Sequence, residues 1–166
     1  MAKDASFDVV SELDFQEVDN AWQQAIKELK QRYDLKDSGA SLDYDKQKHE
    51  FTLLAPSDFI ATQVKDVLAG KLVRREVDLK AVHWSAPVAA SGGMVRLTGT
   101  LISGIDEDLI KKINKDVKAQ KFGKVKTQIE GEKIRVFSPS RDELQSVITW
   151  LKDQDYGIPL QYTNYR

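Results

Sequence analysis

Polar and apolar residues along this chain follow two periods in turn, and the order in which they do so occurs twice. In FDVVSE, Phe7, Val9 and Ser11 alternate with Asp8, Val10 and Glu12, the period of two that predicts a half-buried strand. From Asp14 the spacing changes to three and four residues through Val18, Ala21, Trp22, Ala25, Ile26 and Leu29, which predicts an amphipathic helix with Asp14 as its N-cap. SLDYD and HEFTLLA read as two short strands joined around Lys46 and Gln47. Ser57 then caps a second helix to about Arg74, and DLKAVHW closes the series as a strand. After SAPVAASGG, a small and uncharged stretch, the order returns. It runs through strand MVRLTGTLI, a helix from about Asp106 to Gln120, strand KVKTQI, a turn at Glu130 and Gly131, strand KIRVFS, a helix capped by Ser140 and strand LQYTNY.

The repeat is visible residue by residue where a strand gives way to the second helix of each half. In LLAPSDFIATQVKDVL and VFSPSRDELQSVITWL, Pro56 and Pro139, Ser57 and Ser140, Val64 and Val147, and Leu68 and Leu151 are each 83 positions apart in a chain of 166 residues. Each half is therefore β-α-β-β-α-β, an α+β order that closes into an α/β sandwich when an antiparallel sheet carries both helices on one face. The expected domains are residues 1–84 and 94–166, with 85–93 as linker. The N-terminal strand could complete the sheet of either half.

Sorting each strand by alternation, with the more apolar set facing the helices, separates the two halves chemically. The outward set of the second half is Arg96, Thr98 and Thr100; Lys124, Lys126 and Gln128; Lys133, Arg135 and Phe137; and Gln161, Thr163 and Tyr165. In the first half it is Asp8, Val10 and Glu12; Asp43 and Asp45; Glu50, Thr52 and Leu54; and Asp78, Lys80 and Val82. One face is basic with two aromatic rings, the other acidic with an apolar stripe. Charge counts agree: residues 1–83 hold 12 Lys/Arg against 16 Asp/Glu, and residues 84–166 hold 13 against 10, within a net charge of −1.

Cations for phosphate, flat rings for stacking and amides for base edges are what nucleotides and single-stranded nucleic acids require. The candidate nucleotide-binding residues are Arg96, Lys124, Lys126 and Arg135 on phosphates, Phe137 and Tyr165 as stacking rings, and Gln161 on a base edge. The acidic face of the first half would suit a basic protein partner, or the second half's own sheet. Catalysis finds little support. His49 and His83 lie outside metal-ligand spacing, and no GxxxxGK[ST], GxGxxG or GxSxG sequence occurs. No cofactor or metal is expected. With no cysteine, no basic-then-apolar leader and no long apolar run, the composition predicts a cytoplasmic protein without membrane contact.

The chain also resembles the YajQ family of small bacterial proteins. The likeness rests on SFDVVSELDFQEVDNA, KLVRREVDLKAV, ASGGMVR, IKKINKDVK, SRDELQSVI and LQYTNYR, and spans essentially the whole sequence. It implies two ferredoxin-like domains and a nucleotide-binding role, with a cyclic dinucleotide or RNA as ligand and no catalytic residues. At VFSPS the chain departs from a VTGK-like ending, so a Gly-Lys phosphate contact at that turn is not expected. The reading is a non-enzymatic nucleotide-binding effector. A protein-interaction or structural module is the alternative.

Overall fold

The computed structural model describes residues 4–166. In chain order the elements are β1 (Ala5–Val10), α1 (Phe15–Gln31), β2 (Ser41–Asp45), β3 (Glu50–Ala55), α2 (Asp58–Arg74), β4 (Val82–Trp84), β5 (Val88–Ala89), β6 (Val95–Leu101), α3 (Glu107–Ala119), β7 (Lys126–Glu130), β8 (Lys133–Ser138), α4 (Arg141–Lys152) and β9 (Gln161–Thr163). The predicted caps form as side-chain acceptors. Asp14 takes the backbone N–H groups of Gln16 and Glu17, Ser57 that of Ile60, and Ser140 that of Glu143. No helix among the described residues is long and apolar enough to cross a membrane.

The elements form a mixed α+β structure with two antiparallel sheets, in two compact units. One comprises residues 1–12 with 103–166, the other residues 13–102. The division differs from one drawn at residues 85–93, because each sheet takes one of its two inner strands from the other half of the sequence. In the first unit β1 lies between β8 and β9 in the order β7-β8-β1-β9. In the second, β6 lies between β3 and β4 in the order β2-β3-β6-β4, with β5 also pairing to β6. The linker is thus partly strand: Val88 pairs with Arg96 and Ala89 with Val95.

The exchange also cancels the charge asymmetry. Residues 1–12 carry one base and three acids into the first unit, while Arg96 goes to the second. The balance becomes 13 Lys/Arg against 13 Asp/Glu, and 12 against 13.

In the first unit, α4 packs against β8 and β1, and α3 against β7 and β8. Between them Phe7, Val9, Ile134, Val136, Ile113, Val147 and Leu151 are all but completely buried. Each such side chain contributes about 1.5–3 kcal/mol by leaving water. In the second unit α1 and α2 pack on each other and cover the inward face of β2, β3 and β6.

Gly99 on β6 stands opposite both Phe51 and Trp84. The Trp84 ring occupies the space a side chain there would need, stacked toward Phe51 with ring centroids 6.2 Å apart. A Cβ at Gly99 would stand 2.9–3.0 Å from three Trp84 ring carbons, closer than van der Waals contact allows. Glycine in a strand marks such an approach. We expect Gly99→Ala to destabilise the protein by about 1–3 kcal/mol through overpacking. Gly70→Ala, exposed within α2 with open space around it, should stabilise by about 0.5–1 kcal/mol through helix propensity. Urea midpoints of the two variants should move in opposite directions; a common shift would contradict the packing account.

Candidate nucleotide interface

The outward face of the first sheet is fixed by register. Across β7 and β8, Lys126 stands opposite Phe137, Gln128 opposite Arg135, and Glu130 opposite Lys133. Across β8 and β1, Ser6 stands opposite Phe137 and Asp8 opposite Arg135. Direct cross-strand partners have Cβ atoms about 5 Å apart, so Lys126 flanks the Phe137 ring. Lys126 and Gln128 are exposed and Phe137 is half-buried, whereas Ser6, Asp8 and Val10 of β1 are buried. The accessible part of this face therefore lies over β7 and β8.

Asp8 is the electrostatic centre of the face. Arg135 Nε donates to its Oδ1 at 3.0 Å, Asn164 Nδ2 donates to its Oδ2 at 2.9 Å, and Lys133 Nζ lies 3.6 Å away. Arg135 also meets Glu130 at 3.4 Å. Burial on its own would raise the pKa of Asp8. Hydrogen bonds from Arg135 and Asn164, with the charges of Arg135 and Lys133, outweigh it and hold the carboxyl below its ordinary value of 3.8. The Arg135 guanidinium, which the sequence assigns to phosphate, is thus engaged by a carboxylate that the sequence assigns to the other face.

The remaining candidate residues fall in several places. Arg96 is exposed on β6 in the second unit, opposite Leu54, on a face that also carries Asp43, Asp45 and Glu50. Of the other first-half residues expected on that face, Asp78 and Lys80 lie before β4 rather than in it, and Val82 turns inward opposite Leu101. Lys124 precedes β7, and its backbone N–H donates to Glu143 Oε2 at 3.2 Å. Gln161 is committed at both ends of its amide: Nε2 donates to the Glu12 carbonyl at 2.8 Å, and Oε1 accepts the Glu12 N–H at 3.1 Å. It ties β9 to the end of β1 rather than presenting a free edge.

Tyr165 leaves the outward face because alternation fails just before it. Thr163 pairs with Asp8 in register, yet Ser6 exchanges backbone hydrogen bonds with Arg166, one residue later than a regular ladder would place it. The extra residue makes a bulge at Asn164, whose φ of 57° is left-handed. The bulge sets the Tyr165 ring on the helix side, 6.2 Å from the Phe7 ring, where it lines a cavity with Leu144 and Ile148 of α4.

The structure therefore brings together Lys126, Arg135 and Phe137 of the candidate set. It adds Gln128, Lys133 and Asp8. Gln128 and Lys133 follow from the alternation of their strands, while Asp8 becomes visible only once β1 is placed beside β8. Among the described residues no group of three or more His, Asp or Glu is placed to hold a metal ion.

A sheet face of lysines around one aromatic ring belongs to the chemistry of nucleotide-binding proteins. The family model described as "Nucleotide-binding protein YajQ-like" matches residues 5–166, and the chain belongs to that family. It is 48% identical over 165 residues to a protein of Enterococcus faecalis, covering 99% of both chains, and 46% identical over 163 residues to one of Rhodococcus erythropolis, covering 98% and 99%. It is 42% identical over 166 residues to a protein of Endomicrobium trichonymphae, covering both chains fully. Each of these relatives carries the name nucleotide-binding protein.

The depressed Asp8 carboxyl gives stability a defined pH dependence. A carboxyl whose folded pKa lies below its unfolded value stabilises the fold above about pH 4, and the contribution disappears as pH falls through the folded value. Asp8→Asn should cost about 1.5–3 kcal/mol at pH 7 by removing the charge that Arg135 Nε and Lys133 face. The gap between variant and parent should narrow below about pH 4 in urea denaturation. A gap unchanged between pH 7 and pH 3 would show that Asp8 does not act through its charge.

Proposed function

We propose that this chain binds a nucleotide ligand joined by phosphodiesters, either single-stranded RNA or a cyclic dinucleotide, on the β7–β8 portion of its outward face. The protein acts there as a non-catalytic effector. The observation that carries this reading is Phe137 with Lys126 directly across from it, and Gln128 and Lys133 on the same face. A base stacked on Phe137 gains about 1–3 kcal/mol, and the neighbouring lysines meet its phosphates. One ring holds one base, so the face suits a dinucleotide or a short stretch of strand. Arg135, paired with Asp8 and Glu130, keeps Phe137 and Lys133 in place on β8 more than it adds free charge. The strand order of each unit supports reading both as ferredoxin-like, with β1 and β6 in the place of the first strand of the unit each completes. The names carried by the relatives support a nucleotide as ligand.

Fluorescence anisotropy with labelled short RNA and with a labelled cyclic dinucleotide, each titrated at several salt concentrations, tests the reading. Phe137→Ala should weaken binding about 5–150-fold. Lys126→Glu should weaken it and lower the log–log salt slope by about one. Arg96→Glu, in the other unit, should change little. Binding that ignores both Phe137→Ala and Lys126→Glu would remove this face from consideration. Failure of the parent to bind either ligand would favour a protein-interaction module.

A further inference from the structure

A cavity of about 400 Å³ opens in the first unit between α4 and the end of β1. Its walls include Arg141, Leu144, Gln145 and Ile148 of α4, with Tyr165 and Arg166 beyond β9. We propose that this cavity is a second ligand seat, shaped for one nucleoside monophosphate and separate from the β7–β8 face.

Arg141 and Arg166 both line the cavity, and no Asp or Glu is among its lining residues. Among the described residues neither guanidinium is held in an ion pair, unlike those of Arg32, Arg75 and Arg135. Two cationic side chains on the walls of one cavity favour an anion there. Arginine is the side chain whose planar fork matches the oxygens of a phosphate.

The rest of the lining suits a nucleoside. Tyr165 is 65% exposed, and its ring stays near Phe7 at 6.2 Å, leaving surface free for a base. Leu144 and Ile148 are 6% and 4% exposed and give an apolar floor. Gln145, one turn beyond Arg141 on the same helix, brings an amide that can read a base edge. The left-handed Asn164 is part of this arrangement, since the bulge it makes sets Tyr165 over the cavity. Bulges re-aim side chains in this way beside functional sites. The volume lies near the lower end of small-ligand sites, which fits one nucleotide and not a strand.

The inference extends the nucleotide-binding reading but uses residues disjoint from those of the β7–β8 face. Isothermal titration of the full chain with adenosine and guanosine monophosphate, and with inorganic phosphate, tests it alongside RNA anisotropy. Arg141→Glu and the milder Arg141→Gln should each weaken monophosphate binding about tenfold or more. Tyr165→Ala should weaken it at least about fivefold. Lys126→Glu should leave it unchanged, and both Arg141 variants should leave short-RNA binding unchanged. Circular dichroism melts identify any variant that fails to fold. The seat is overturned if the parent binds RNA but neither monophosphate, or if both Arg141 variants bind monophosphate like the parent. Inorganic phosphate binding as tightly as the nucleotides would overturn the nucleoside part. Loss of RNA and monophosphate binding together in the parent would overturn the wider reading as well.

Discussion

β1 is hydrogen-bonded along both edges, to β8 on one side and β9 on the other. Without it β8 and β9 would each present a row of unpaired N–H and C=O groups, and the three-residue β9 would have no ladder at all. β6 holds the same place between β3 and β4. β1 is far in sequence from β8 and β9, and β6 lies beyond the midpoint of the chain, so neither half of the chain contains a complete sheet. A fragment cut near residue 90 would leave one inner strand missing from each product. The linker between the halves is for this reason no boundary between folding units, and β5 pairs within it as part of the second sheet.

The same placement decides the chemistry of the candidate interface. Bringing β1 beside β8 puts a buried carboxylate, Asp8, beside the cations of β8 on a face that already carries Glu130. Asp8 accepts from Arg135 and Asn164 and thereby joins three strands' worth of chain through one side chain. Positive charge that solvent reaches lies at exposed Lys126 and at half-buried Lys133, the latter also paired with Asp8. What remains for a ligand is narrower than a wholly basic sheet, and better defined.

Much of this was legible from periodicity. Helix extents and the Asp14, Ser57 and Ser140 caps were readable because a capping oxygen and an apolar stripe are local properties. Strand partnership was not. FDVVSE and MVRLTGTLI both alternate, and nothing within either states which sheet it will complete. The apparent charge difference between the halves depended on that assignment and vanished with it. Tyr165 and Gln161 failed for a different reason. Alternation assumes a regular ladder, and the left-handed Asn164 inserts a residue into it. A glutamine that reads as a free amide in a strand can be consumed by a backbone partner 149 positions away.

The duplicated joint shows how two copies of one unit came to differ. Ala55 ends β3, and its counterpart 83 positions on, Ser138, ends β8; both are fully buried. The Ser138 hydroxyl donates to Glu143 at 2.7 Å and accepts from the Ser140 N–H at 3.0 Å, and Glu143 also receives the Lys124 N–H. Gly123 fits there because a side chain would run into Glu143, and its φ of 73° suits glycine. One methyl-to-hydroxymethyl difference thus accompanies a network that fastens the turn before β7 to the first turn of α4. Phe137 immediately precedes Ser138, and Arg141 stands between Ser140 and Glu143. In the second unit the corresponding positions are Leu54 and Asp58, with an isoleucine, Ile60, where Glu143 stands. The joint that builds the fold in both units is cross-linked by side chains in the unit that carries Phe137 and Lys126, and is only a capped helix start in the other.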